Sequence, residues 1–196
     1  MQLQPTYRST WKPAPMPCLG RSQKYWLFRP GALTAGLRQL GQVQLRVVNE
    51  HAIGLHPDEA WMLKRNARSP IWVREIMMSI DGVDSVFARS FTPLRASHGL
   101  WQGMRRLRSR PLADMLYHDP QITRSPFFAC RLHRQNPLYD TAQRIYGQQR
   151  PAAHKLLARC SVFWRGGEPL LVAECFLPEF WALAAKSAYA QGLGKL

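Results

Sequence analysis

Two charged residues sit where strand periodicity leaves little room for water. Glu174 lies in the apolar run Pro169-Leu-Leu-Val-Ala-Glu-Cys-Phe-Leu-Pro178, and Arg74 lies in Ile71-Trp-Val-Arg-Glu-Ile-Met-Met78. Alternate residues of a strand face the same way, so Glu174 shares a face with Leu170, Val172 and Phe176, and Arg74 shares one with Trp72, Ile76 and Met78. A charge on such a face is costly unless it is paired or put to use. Two explanations stay open: a structural salt bridge between Glu174 and Arg74, or a site in a cleft. As a site, the planar guanidinium suits bidentate recognition of a carboxylate and stays charged in an apolar pocket. Desolvation would bring the carboxylate into a range useful for proton exchange.

Other chemistries find little support. The six histidines, at 51, 56, 98, 118, 133 and 154, show no two-turn or facial-triad spacing, and Cys130-x-x-His133 is an isolated pair, so no metal site is expected. There is no Gly-x-Ser-x-Gly elbow and no dinucleotide fingerprint. Gly166-Gly167 reads as a turn, because no helix or Lys-Ser/Thr pair follows it. A site without cofactor is the expectation. Four cysteines without paired spacing, and no cleavable signal before them, lead us to expect free thiols and a cytoplasmic setting.

A formal charge of +15 in 196 residues, with a cluster at Arg105, Arg106, Arg108 and Arg110, draws anions of every kind and does not choose among them. The chain lacks zinc-finger spacing, RNA-recognition aromatics and heptads beside a basic region, so no dedicated nucleic-acid partner is expected. No apolar run approaches a membrane span, although peripheral contact with an anionic membrane fits the basic balance.

These residues need a frame to hold them. Residues 1–24 hold Pro5, Pro13, Pro15 and Pro17 and read as an extended arm without a core of its own. Leu33, Leu37 and Leu40 form a helical stripe that stops at Gly41, and 42–49 alternates as a half-buried strand. Asp81-Gly82 should close a hairpin between 71–78 and 85–92, and Gly166-Gly167 another between 158–164 and 170–177. Segments 100–107 and 111–118 read as helical, and the Ala-rich stretch from 179 to 191 as a C-terminal helix. Hairpins joined by helices predict an α+β fold on an antiparallel sheet. The expected division is an arm over 1–24, one catalytic domain over 25–181 and a helical tail over 182–196, in a monomer.

Five segments, in order, resemble the chorismate lyase family. They are Trp72-Val-Arg-Glu-Ile-Met-Met-Ser-Ile-Asp-Gly82, Ala88-Arg-Ser-Phe-Thr-Pro93, Pro111-Leu-Ala-Asp-Met-Leu-Tyr117, Ile122-Thr-Arg124 and Gly167-Glu-Pro-Leu-Leu-Val-Ala-Glu-Cys-Phe-Leu-Pro178. The resemblance runs from about Leu33 to Pro178. It implies a six-stranded antiparallel sheet flanked by helices, with ligand enclosed under helical flaps, and conversion of chorismate to 4-hydroxybenzoate and pyruvate for ubiquinone synthesis. It implies that Arg74 holds a ligand carboxylate and that Glu174 faces the 4-hydroxyl. It further implies that main-chain amides at Leu112 and Leu33 complete the grip and that Arg89 lies close by.

The stretch from His133 to Leu157 and the helix after Pro178 exceed the compact family pattern. A second reading, a non-catalytic effector domain that binds small aromatic acids, shares the fold; such regulators carry an N-terminal helix-turn-helix, which residues 1–24 are too short and Pro-rich to form.

Overall fold

The computed structural model describes residues 10–146 and 156–190. Helices are α1 (Arg21–Phe28), α2 (Leu33–Leu37), α3 (Pro57–Leu63), α4 (Ala113–Leu116), α5 (Pro137–Tyr146) and α6 (Pro178–Ala190). Strands are β1 (Val43–Gly54), β2 (Pro70–Ile80), β3 (Val83–Pro93), β4 (Thr123–Arg124), β5 (Phe128–Arg131), β6 (Leu157–Arg165) and β7 (Glu168–Phe176). They form one sheet of seven strands in the order β1-β2-β3-β7-β6-β4, with β5 also paired to β6, and every pairing is antiparallel. This is the expected α+β class, with one strand more than expected because β4 and β5 divide one edge of β6.

Both expected hairpins form with two-residue turns. Asp81 and Gly82 adopt φ of 48° and 80° between Ile80 and its partner Val83. Gly166 and Gly167 adopt 54° and 78° between Arg165 and Glu168. Positive φ at both central positions gives a turn whose twist matches that of the flanking strands, which sets the register at the turn; the second hairpin keeps it throughout, and a bulge between Met78 and Ser79 shifts the first by one residue. Register then decides which side chains meet on each face.

The sheet is covered on both sides. On one face Val73, Met77, Phe87, Phe91 and Leu171 pack with Met62 and Leu63 of α3 and with Leu138 and Ala142 of α5. On the other, Ile76, Met78, Val86 and Phe176 pack under Trp26 and Leu27 of α1, Leu33 and Leu37 of α2, and Phe180 of α6. Farther along that face, Leu170 and Phe163 lie under two short 3-10 turns at 96–98 and 102–106 and under α4. Trp101, fully buried, pins this second cover: its Nε1–H donates to the Glu168 carbonyl at 3.1 Å.

Several boundaries differ from expectation. The arm is not free over its described part: Trp11 and Leu19 are buried, Lys12 pairs with Ala129, and α1 starts at Arg21, with the Gly20 N–H donating to Gln23 Oε1 at 3.0 Å. The divisions at 25 and 182 thus fall inside α1 and α6. The helical segments expected at 100–107 and 111–118 are 3-10 turns and a single helical turn. Residues 1–9 of the expected arm, 147–155 of the long stretch and 191–196 of the tail lie outside the described residues. Among the described residues no helix is long and apolar enough to cross a membrane, and no group of three or more His, Cys, Asp and Glu could hold a metal ion.

Candidate functional site

Two adjacent cross-strand rows form the floor of a cavity. The first runs Ile76, Ala88, Glu174, Arg159 across β2, β3, β7 and β6; the second runs Arg74, Ser90, Val172, Ser161 across the same strands. Of these eight residues, all but Arg74 line one cleft. Leu33 and Thr34 of α2 cover one side, and Pro111, Leu112 and Leu116 cover the other. The wall is mainly apolar, and polar groups converge on it from only a few places, the usual makeup of a binding pocket.

Glu174 and Arg159 form an ion pair within the first row, Arg159 Nε donating to Glu174 Oε2 at 2.6 Å. Arg159 is 1% exposed, and its Nη1 donates to the carbonyls of Trp26 and Arg29, both at 3.2 Å, so it ties the end of α1 to the floor. The Arg159 guanidinium lies 4.3 Å from the Phe127 ring, and Arg124 lies 4.1 Å from the same ring. Tyr117, half exposed, stands at the rim against Phe163, and burial raises its phenol pKa above the ordinary value, opposed by Arg124 and supported by Glu174.

Arg74 belongs to the same sheet face but its guanidinium turns to the cover. Its Nε donates to Glu50 Oε1 at 3.1 Å, and its Nη2 donates to the carbonyls of Arg108 at 2.5 Å and Arg110 at 3.3 Å. It is 1% exposed, and burial lowers its pKa, opposed by Glu50. Arg74 therefore borders the cavity and anchors the segment that leads into Pro111 and Leu112. From strand spacings its Cα lies about 12 Å from that of Glu174, two strands and one row away.

Two expectations need correction. Glu174 and Arg74 form no salt bridge with each other: each has its own partner, Arg159 and Glu50. Arg89 does not approach this cavity. It sits one residue out of phase, in the row Glu75, Arg89, Ala173, Cys160, and so faces α3 and α5 on the other side of the sheet. There it pairs with Glu59 at 3.3 Å and Glu75 at 3.5 Å. Leu33 and Leu112, expected at the site, are both in its walls.

Arg159 was the residue sequence reasoning missed. The signal was available, since Arg159 interrupts Leu157–Phe163 just as Arg74 interrupts β2, but a strand so near the basic Arg165 turn passes for an ordinary hairpin arm. The expected thiol state agrees with the structure: Cys18, Cys130, Cys160 and Cys175 are free, and burial raises the thiol pKa of the last three.

The profile of the family described as "Chorismate lyase" matches residues 6–186. A protein of Bordetella pertussis named "Probable chorismate pyruvate-lyase" is 62% identical over 176 residues, 89% of this chain and 91% of its own length. One from Pseudomonas fluorescens, named "Probable chorismate pyruvate-lyase 1", is 41% identical over 183 residues, 93% of this chain and 95% of its own. Among solved structures, the effector domain of PhnF from Mycobacterium smegmatis is similar at a TM-score of 0.51, over 76% of this chain and 90% of that one. At 12% identity this likeness is one of fold alone.

Proposed function

The chain belongs to the chorismate lyase family, and we propose that it acts as a chorismate pyruvate-lyase, eliminating pyruvate from chorismate to leave 4-hydroxybenzoate. The observation that carries this reading is the largely apolar cleft whose floor holds one carboxylate, Glu174, with Arg74 at its border. In the reaction the C4–H bond and the C3–O bond break, the ring becomes aromatic, and the enolpyruvyl methylene carbon gains a hydrogen. Aromatisation makes the step downhill, so the protein's contribution is to hold a reactive conformer away from water.

In this reading Arg74 holds the ring carboxylate and Glu174 accepts a hydrogen bond from the 4-hydroxyl. Leu112 and Leu33 close over the ring from the two covers. The enzyme needs no cofactor, works in the cytoplasm as a monomer, and supplies 4-hydroxybenzoate to ubiquinone synthesis. The alternative, an effector-type domain that binds aromatic acids without turning them over, finds support only in the distant likeness to the PhnF domain. Incubating the purified protein with chorismate alone separates the two. Equimolar 4-hydroxybenzoate and pyruvate are expected; binding of 4-hydroxybenzoate with no release of pyruvate would overturn the lyase reading.

A further inference from the structure

We propose that Arg159 is a substrate-binding residue for the second carboxylate of chorismate, the one carried by the enolpyruvyl ether. This inference rests on the lyase reading and concerns how that same cavity accepts a dianion. Chorismate bears one carboxylate on the ring and another on the side chain at C3. C3 is the neighbour of C4, whose hydroxyl faces Glu174 in this reading. The side-chain carboxylate therefore arrives beside Glu174, a like charge in a cavity with little water. Without a cation at that end, the substrate would be repelled by the group meant to act on it.

Arg159 is the cation in that position. It is the cross-strand neighbour of Glu174, lines the cavity and is almost wholly buried. Of its three guanidinium nitrogens, Nε serves Glu174 and Nη1 serves the carbonyls of Trp26 and Arg29. Nη2 has no hydrogen-bond partner among the described residues, and it is not among the fully buried orphaned atoms, so it is left to the cavity. A second guanidinium stands near it: Arg124 stacks on Phe127 at 4.1 Å, and its Nη1 is buried with no partner among the described residues. Arg159 and Phe127 line the cavity at the Glu174 end, and Arg124 adds a second positive charge against the same ring. Arg74 supplies the positive charge at the opposite end. The cavity is thus charged at both ends, as a dicarboxylate substrate requires, whereas the product 4-hydroxybenzoate needs one end only.

That difference between substrate and product supplies the test. Arg159→Gln and Arg159→Lys are compared with the unmodified enzyme for KM and kcat on chorismate and for binding of 4-hydroxybenzoate, with thermal unfolding as the check on folding. The expected result for Arg159→Gln is a rise of at least tenfold in KM for chorismate and a change of less than about threefold in Kd for 4-hydroxybenzoate. Arg159→Lys, which keeps the charge, should recover part of the chorismate loss. Arg124→Gln leaves the α1 contacts intact and should show the same selective loss in weaker form. Conversion of chorismate by the unmodified enzyme reports on the lyase reading, and the ratio of the two losses reports on Arg159. Equal losses for both ligands would mean that Arg159 only orients Glu174 and the fold, and would overturn the proposal. Unchanged KM in a folded Arg159→Gln would overturn it too.

Discussion

Replacing Glu174 by glutamine removes one negative charge from the cavity floor and little else in shape. Arg159, 1% exposed, then loses its one carboxylate partner among the described residues, at 2.6 Å. Removing one member of a buried pair costs about 3–5 kcal/mol. Glutamine retains an oxygen able to accept from Nε, and Nη1 retains its two carbonyl acceptors, so a smaller loss of about 1–3 kcal/mol is expected. For a domain of this size each kcal/mol lowers Tm by about 2–4 °C, which puts the shift at roughly 2–12 °C by thermal unfolding. Activity should suffer more. A positioned acid–base group contributes on the order of 10²–10⁴-fold, so kcat should fall by at least about a hundredfold if Glu174 takes the C4 proton. In deuterated water that route places solvent deuterium in the methyl group of pyruvate, whereas direct transfer carries the C4 hydrogen there intact. A kcat within about twofold of the parent and no solvent label would refute proton exchange through Glu174 and leave it as a positioning group.

Arg74→Gln should weaken 4-hydroxybenzoate binding by about 2–5 kcal/mol in calorimetry and also lower Tm, since Arg74 holds the carbonyls of Arg108 and Arg110; near-normal affinity in a folded variant would remove it from the binding role. Arg106 and Arg108 are exposed, whereas Arg105 is held by Ser97 and stacked on Trp72, so the pair Arg106→Gln, Arg108→Gln tests steering by the basic cluster. We expect kcat/KM to drop on the order of threefold to tenfold at low salt and to recover near ~1 M, where the Debye length is about 3 Å; an unchanged value at low salt would end that idea, and loss of binding to anionic vesicles would assign the cluster to a membrane surface. Burial, opposed by Arg89, raises the Glu59 carboxyl from 4.5 to about 7. A raised folded-state pKa means stability that is present below about pH 4.5 and lost as pH rises through about 7. Glu59→Gln should therefore gain on the parent between pH 5 and 8, by up to about 3 kcal/mol; a difference that stays flat across that range in denaturant titrations would contradict the assignment.

The parts of the fold governed by local chemistry were legible in the sequence. Asp81-Gly82 and Gly166-Gly167 demand positive φ, and the alternation on each side of them follows from the two-residue period, so both hairpins and the inward face of Glu174 could be read directly. The covers could not. The segments around 96–107 and 111–118 have helical composition, but short 3-10 turns satisfy their burial once Trp101 is pinned to Glu168, a contact between residues 67 positions apart. The fate of Arg89 was decided by the same alternation that placed Arg74, because an odd separation across a register pair puts it with Glu75 on the opposite face. Family resemblance had put Arg89 near the ligand, and so would a plain count from the Asp81-Gly82 turn, which sets Arg89 opposite Arg74; a β-bulge between Met78 and Ser79 shifts the register by one residue and turns Arg89 to the other face. Partner choice was legible for one pair and not for the other: the Gly166-Gly167 turn already sets Arg159 opposite Glu174, whereas nothing local says that Arg74 takes Glu50, since that depends on β1 lying beside β2.

Those pairings have a consequence for how the cavity is closed. Arg74 and Arg159 are both rooted in the sheet, and each spends donors on backbone carbonyls of a different cover: Arg74 on Arg108 and Arg110 ahead of α4, Arg159 on Trp26 and Arg29 at the end of α1. A guanidinium has five N–H donors in a fixed plane, so a carboxylate that enters shares that plane with the carbonyls that hold the roof. Under the proposed roles, bidentate binding of an anion at Arg74 would draw donors toward the cavity and away from the 108–110 segment, and the same would hold at Arg159 for the 26–29 segment. On that reading, ligand capture and the hold on each cover are set by the same two side chains, so a variant of either should loosen its cover as well as weaken its hold on the anion it binds.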